Sequence, residues 1–286
     1  MRFSSGRMIT PLMVTSAQGL KKIAEGREAE MFEWNGGRVL RLYRAGRGLD
    51  AAHQAMLLDI ARTCGVRVPG SYGTVEIEGR TGIVMERIAG PDLLTQLNAQ
   101  PWRLLQAGGI WGRTQADINS RTAPPEVEPV HDRLRRMIEN SPLVPNDLRA
   151  PALTRLSSLP EGTQLLHGDC HPANIMRNGS EFVTIDWSNV TRGPAEADYF
   201  RSYLMGTLGD LPPGTPWLIR TFAGFGRRAV RSAFSRAYRR ALPPDPGLVN
   251  AWRMPIIVAR FAEGLEAEFP ALDDLARRLL NDKATR

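Results

Sequence analysis

Lysine is almost missing from this chain. Its 286 residues include Lys21, Lys22 and Lys283 but no lysine between 23 and 282, although lysine and arginine together number 37 against 30 acidic residues. Interior positive charge is therefore carried by arginine, whose planar, permanently charged guanidinium does not replace a compact ammonium one for one. Cysteine is scarce too: Cys64 and Cys170 fall in an unrelated helix and loop. A disulfide framework is thus not expected, a reduced cytoplasmic setting is the default, and Cys170 reads as a small filler. No run approaches the roughly eighteen consecutive apolar residues of a membrane span. The basic start Met1–Arg7 has no sustained apolar segment behind it, so neither membrane nor secretory leader is expected. There is no Gly-x-Ser-x-Gly elbow, Walker loop or Cys-x-x-Cys pair, which removes the commonest hydrolase, P-loop and thiol-metal readings.

What is present is an ordinary globular composition, 42% hydrophobic and 23% charged, with a formal net charge of +7. Much of the basic excess falls between Arg220 and Arg240, where Arg227, Arg228, Arg231, Arg236, Arg239 and Arg240 alternate with Phe222, Phe225, Ala229, Phe234 and Tyr238. That spacing predicts an amphipathic helix with a solvated arginine face. No nucleic-acid module accompanies it, so nucleic acid is not an expected partner.

The chemistry concentrates in His167-Gly168-Asp169-Cys170-His171-Pro172-Ala173-Asn174 and, after a β-rich stretch, Ile185-Asp186-Trp187. Asp169 is spaced to accept a proton from a substrate hydroxyl. Asn174 and Asp186 are hard oxygen donors of the kind that hold magnesium beside nucleotide phosphates. Asn178-Gly179 predicts a hairpin turn between this loop and the strand Glu181–Ile185, so Asp169 and Asn174 fall on a loop between strands and Asp186 at the end of the next. His167 and His171 read as loop-organising residues, because two histidines flanking one aspartate do not complete a zinc site.

The spacing His-x-Asp, Asn five residues beyond and Asp twelve further matches the catalytic and metal-binding signatures of protein kinases. The chain resembles the aminoglycoside phosphotransferase and choline kinase superfamily, whose loop reads His-Gly-Asp-x-His-x-x-Asn. It is closer to those small-molecule enzymes than to protein kinases: Gly168 stands where they prefer Arg, Trp187-Ser188 replaces Phe-Gly, and no Ala-Pro-Glu follows. The likeness extends over residues 19 to 270 and is specific around 167–198. It implies an α+β, protein-kinase-like two-lobed fold. A small N-terminal lobe, 1–88, would have an antiparallel sheet and one helix, and a larger, mostly helical lobe, 89–286, would carry catalysis and acceptor binding. ATP or GTP with magnesium would lie in the cleft between them, beside a small hydroxylated acceptor.

The same resemblance assigns further positions. Gly26 would lie in the phosphate-covering loop, and the strand Arg38–Tyr43 would present the phosphate-contacting lysine, whose place is taken by Arg41. The helix from about Asp50 to Thr63 would carry its glutamate partner. Gln54 aligns there, with His53 as the other register. Both members of the ion pair are therefore altered. An active enzyme in which Arg41 bridges phosphates and Gln54 bonds the guanidinium is one reading. A nucleotide-binding pseudoenzyme with weakened transfer is the other. Backbone groups from Glu86 to Ile88 would meet the base. Asp198 would support the catalytic loop, or else serve only as a carboxylate at a helix N-terminus.

Elsewhere Asp92 opens a helix with Leu93, Leu94 and Leu97 as its apolar stripe. Helices are predicted near 101–119, 130–140, 146–158, 197–208, 216–241, 246–261 and 271–282, with Pro212-Pro213 and Pro243-Pro244 as punctuation. Trp187, Tyr199, Tyr203 and Trp252 are candidates to line an acceptor pocket, and Glu263, Glu266 and Glu268 to attract a cation.

Overall fold

In the computed structural model, residues 12–13, 19–26, 29–45, 51–208 and 217–284 are described, the segments 12–13, 217–223 and 282–284 by backbone alone. Met1–Arg7, Arg27, Glu28, Asp50 and Pro212-Pro213 lie outside the described residues, as do the side chains of Arg220, Phe222 and Lys283. The chain divides into two compact units, Met1–Gly90 with Arg177–Ser188, and Pro91–Met176 with Asn189–Arg286.

The first unit is built on one sheet of β1 (Leu12–Met13), β2 (Lys22–Glu25), β3 (Ala29–Trp34), β4 (Arg38–Tyr43), β5 (Ser71–Ile77) and β6 (Arg80–Glu86), with α1 (Ala51–Thr63) between β4 and β5. The strand order is β1-β5-β6-β4-β3-β2. Every ladder is antiparallel except the edge pair β1–β5. The turns follow from residue type. In the three-residue β3–β4 loop Gly36 and Gly37 take φ of 73° and 70°, and between β5 and β6 Glu78-Gly79 takes 53° and 71°, the latter the left-handed conformation that a two-residue hairpin demands. Phe32, Leu40, Leu42, Val75, Ile77 and Val84 form the core of this unit.

The second unit is mostly helical. It contains α2 (Leu93–Ala99), α3 (Leu104–Asn119), α4 (Val130–Asn140) and α5 (Asn146–Ser157) before the short strand β7 (Gln164–Leu166). The hairpin of β8 (Ile175–Asn178) and β9 (Glu181–Thr184) follows, and from Arg177 to Ser188 the chain belongs to the first unit. Its turn is Gly179-Ser180, one residue beyond the expected Asn178-Gly179, because Asn178 completes β8 and Gly179 takes φ of 62°. On returning, β10 (Thr191–Gly193) pairs antiparallel with β7, and α6 (Ala195–Leu208), α7 (Trp217–Ala241), α8 (Pro246–Arg260) and α9 (Phe269–Ala284) complete the unit.

The α2 stripe is narrower than expected. Leu93 and Leu97 are buried, but Leu94 is exposed, because consecutive helical residues cannot share a face. Asp92 caps α2 as its sequence suggests, accepting from the Thr95 N–H at 2.8 Å. Helices α3 and α7 approach closely through glycine: a Cβ on Gly108 would stand 2.3 Å from the Val230 carbonyl oxygen, and one on Gly112 would stand 2.3 Å from that of Phe234. Among the described residues no helix is long and apolar enough to cross a membrane.

Candidate active site

The candidate loop leaves β7 at His167, and several polar groups of its backbone are held by buried side chains. Asp198, in the first turn of α6 and only 2% exposed, accepts the Gly168 N–H at Oδ1 (2.9 Å) and the His167 N–H at Oδ2 (3.1 Å). Asn119 Nδ2 donates to the same Oδ2 (2.9 Å) and to the Leu165 carbonyl (3.0 Å). Gln115 Nε2 holds the Asp198 carbonyl (2.9 Å), and the Tyr238 hydroxyl donates to Asn119 Oδ1 (2.9 Å). The Cys170 carbonyl receives Trp111 Nε1 (2.9 Å) and Ser202 Oγ (3.0 Å). Charge-assisted bonds inside a dry protein are strong and directional, so this loop has little freedom.

Gly168 must be glycine for two independent reasons. Its φ is +75°, and a Cβ would lie 2.2 Å from the Asn189 carbonyl oxygen. This is the physical basis for glycine where protein kinases prefer arginine.

Asp169 is partly exposed. Asn174 Nδ2 donates to its carbonyl (2.9 Å) and to its Oδ2 (3.1 Å). His171 Nδ1 accepts the Ala173 N–H at 3.3 Å, and its Nε2 lies 3.2 Å from Asn174 Nδ2 and 3.6 Å from Asp169 Oδ2. Burial pushes the Asp169 carboxyl up, but the His171 hydrogen bond and the charges of His171, Arg201 and His167 more than offset it and hold the group below its ordinary value. His167 likewise turns Nδ1 to the Asp169 N–H at 3.2 Å. Cys170 beside it is fully buried and its thiol is pushed well up by desolvation, so it is a packing residue and not a nucleophile.

In the first unit Asp186 lies two residues past β9 with φ of +61°. A non-glycine residue held there costs about 1–3 kcal/mol. Its Oδ1 accepts Ser188 Oγ (3.0 Å) and both terminal nitrogens of Arg41 (3.3 Å each). Arg41 therefore reaches Asp186. Gln54 is buried on α1, and among the described residues it makes no hydrogen bond to Arg41. Gly26 is exposed in the turn from β2 to β3, with its N–H on the Ala29 carbonyl (2.9 Å). Glu86 closes β6 in a fork with Arg67 at 2.8 and 3.1 Å and accepts the Gly70 N–H at 3.1 Å. Arg67 and that amide outweigh burial and hold the Glu86 carboxyl low. Ile88 follows, partly buried.

Each of the two expected metal-holding residues offers an oxygen of the hard type. Asn174 commits its Nδ2 to Asp169, so its remaining side-chain donor is an amide oxygen. Asp186 supplies a carboxylate. Among the described residues no cluster of three or more His, Cys, Asp or Glu forms a metal cage. Asn174 belongs to the second unit and Asp186 to the first, and an amide oxygen and a carboxylate are each hard donors of the type that magnesium takes.

Other candidates resolve differently. Trp187, Tyr199 and Trp252 are core residues, 2%, 6% and 0% exposed. Tyr203 lines an open groove of about 460 Å³ with Arg231, Ser232, Ser235, Arg236, Arg239 and Arg240, the wet arginine face of α7. Phe234 and Tyr238 are its buried face, while Phe225 is exposed. Glu263 and Glu268 are not open to a cation, being paired with Arg201 and Arg260. Sequence reasoning missed Asn119, Gln115 and Arg201. The first two had a readable signal, since two amides four residues apart interrupt the apolar face of α3.

The family model for the phosphotransferase enzyme family matches residues 19–243. Among solved structures, choline kinase from Cryptosporidium parvum Iowa II aligns with a TM-score of 0.55 at 13% identity, covering 93% of this chain and 89% of that one. An aminoglycoside-3'-phosphotransferase of type VIII aligns at 0.58 and 16%, covering 86% and 93%. An aminoglycoside phosphotransferase from Streptomyces rimosus, solved with ADP and streptomycin, aligns at 0.51 and 16%, covering 84% and 92%. At these identities the likeness establishes the fold, which is protein-kinase-like. No curated protein matches the sequence.

Proposed function

Because the chain belongs to the phosphotransferase enzyme family, we propose that it transfers the γ-phosphoryl group of ATP or GTP to a hydroxyl of a small molecule such as an amino alcohol, an aminoglycoside or a sugar-like metabolite. The observation that carries this reading is the Asp169–Asn174 pair on a loop whose backbone is clamped by Asp198. Asp169 orients the acceptor hydroxyl and takes its proton. A carboxyl held below its ordinary value stays ionised at neutral pH, which suits a loose transition state that needs positioning more than a strong base. Asn174 and Asp186 would hold magnesium, which supplies charge neutralisation at the phosphates. Arg41 would steady the phosphate oxygens, a geometry in which guanidinium can bridge two of them. Gly26 would lie against the phosphates, and the backbone from Glu86 to Ile88 against the base. Residues 1–88 would serve as the nucleotide-binding lobe and residues 89–286 as the catalytic and acceptor-binding lobe.

A second reading has its own observation. Arg41 lies on Asp186 while Gln54 offers no carboxylate to draw it away, so Arg41 competes with metal for the same oxygen, as in a pseudoenzyme with weakened transfer. Thermal shift with ATP and with GTP, each with and without magnesium, comes first. Saturation near 100 times Kd contributes about 2.7 kcal/mol, a rise of roughly 5–10 °C in a chain of this size. A metal-dependent rise followed by phosphorylation of an acceptor, abolished in Asp169→Ala, supports the enzyme. A rise without transfer, with turnover gained in Arg41→Lys, supports the decayed site. No rise with either nucleotide refutes both.

A further inference from the structure

Glu263 and Glu268 lead back to the catalytic loop. Arg201 on α6 donates from Nε to the Gly168 carbonyl and from Nη1 to Glu263 Oε1 (2.7 Å). Glu263 receives a second guanidinium, Arg260 Nη1, at Oε2. Arg260 then grips Glu268 in a fork of 2.8 and 2.9 Å. The four side chains are 14%, 22%, 8% and 10% exposed along that order. A half-buried carboxylate between two guanidinium groups cannot swing to solvent without leaving charge unpaired, so the row is stiff.

The Gly168–Asp169 peptide is therefore held at both ends. Its carbonyl is bonded to Arg201, and its N–H, which belongs to Asp169, is turned to His167 Nδ1. Because a peptide is planar, fixing these two groups fixes the Asp169 Cα and its N–Cα bond, and Asn174 Nδ2 on the Asp169 carbonyl restrains the rotation that remains, so the direction of the side chain is set. Asp198 restrains only the preceding N–H groups. Without the grip on the carbonyl, Gly168 is a hinge with low rotational cost immediately before Asp169.

We propose that Arg201 is a positioning residue that fixes the Gly168–Asp169 peptide and so aims the Asp169 carboxylate, and that the Glu263–Arg260–Glu268 row holds its guanidinium in place. The inference rests on the reading of Asp169 as the group that orients the acceptor. The geometry assigns a catalytic purpose to the end of α8 and the segment after it, which carry no part of the catalytic motif.

The test uses the full chain with Arg201→Ala, Arg201→Lys and Glu263→Gln. Transfer from magnesium-ATP is measured to whichever of choline, ethanolamine and streptomycin the wild type phosphorylates, beside amide hydrogen exchange. Misaiming a catalytic group by about 1 Å costs on the order of 100-fold in rate. The expected result is a fall of that size in kcat for Arg201→Ala and roughly tenfold or more for the milder variants, with KM for ATP within about twofold. Added guanidinium ion should restore part of the kcat of Arg201→Ala. Exchange should quicken within residues 166–175 and stay unchanged within 246–260. Wild-type kcat with wild-type loop exchange in all variants overturns the proposal. So does faster exchange throughout the unit with no rescue by guanidinium, which marks a merely structural role. If the wild type phosphorylates nothing while the variants still release the loop, the phosphotransferase reading fails and the clamp stands.

Discussion

Asp198→Asn separates the two meanings that an aspartate at the start of a helix can have. As a carboxylate placed for the dipole of α6, it would contribute about 0.3–1 kcal/mol, and the neutral amide would lose no more than that. The structure gives it heavier duty, because its two oxygens serve three donors in a place only 2% exposed: the N–H groups of His167 and Gly168, and Asn119 Nδ2. An asparagine has one acceptor oxygen, so at least one of those donors must face an amide NH2. A buried donor left without an acceptor costs about 1–3 kcal/mol, and losing charge from the remaining bonds adds to it, so about 2–3 kcal/mol is expected. Asp198→Ala orphans all three donors, which brackets the loss at roughly 3–9 kcal/mol, with water entering the vacated space favouring about 4. Urea unfolding followed by tryptophan fluorescence reads this directly, since Trp111 and Trp252 are buried in the same unit. Both variants should also lose turnover, because the freed N–H groups border Asp169. An Asp198→Asn protein within about 0.5 kcal/mol of wild type would sink the clamp argument and leave the dipole as the whole role.

Gly112→Ala should destabilise the second unit by at least about 1–3 kcal/mol, because its methyl would meet the Phe234 carbonyl oxygen at 2.3 Å and Tyr238 N at 2.9 Å; thermal unfolding measures it, and an unchanged midpoint refutes the close helix approach. A thiol reagent should label partly exposed Cys64 in the folded protein and Cys170 only after denaturant, and native labelling of Cys170 would contradict its burial. The carboxyl of Asp169 is held below its ordinary value, so its stabilising contribution is full above pH about 4 and fades as pH falls through the lower folded value. Asp169→Asn should therefore flatten the decline of the urea midpoint below that pH, and an unaltered slope would show that His171 does not support the carboxylate.

The parts of this protein that were legible in advance are those governed by short sequence distances. The His-x-Asp and Asn spacing, the hairpin glycine at 179, the cap at Asp92 and the helix periods all act within a few residues, where residue type fixes backbone conformation. The family likeness and the two-part α+β architecture followed from the same signals. Errors arose where a local rule was stretched: Leu94 joined the stripe of α2 although its neighbour Leu93 already occupied the buried face, and the β8–β9 turn was set one residue early.

Partner choice was the illegible part. Nothing in the local sequence says that Arg41 reaches an aspartate 145 residues away, or that Glu263, on an apparently wet segment, is shared by Arg201 and Arg260. Arginines look alike in sequence, yet Arg260 is buried in an ion-pair row while Arg236 faces an open groove. The sequence by itself determined which chemistry the chain can carry, since only a few side chains donate hard oxygens or accept a hydroxyl proton at that spacing. The tertiary structure decided which of those groups is held, by what, and how stiffly, because hydrogen bonds and ion pairs act over about 3 Å in space regardless of distance along the chain.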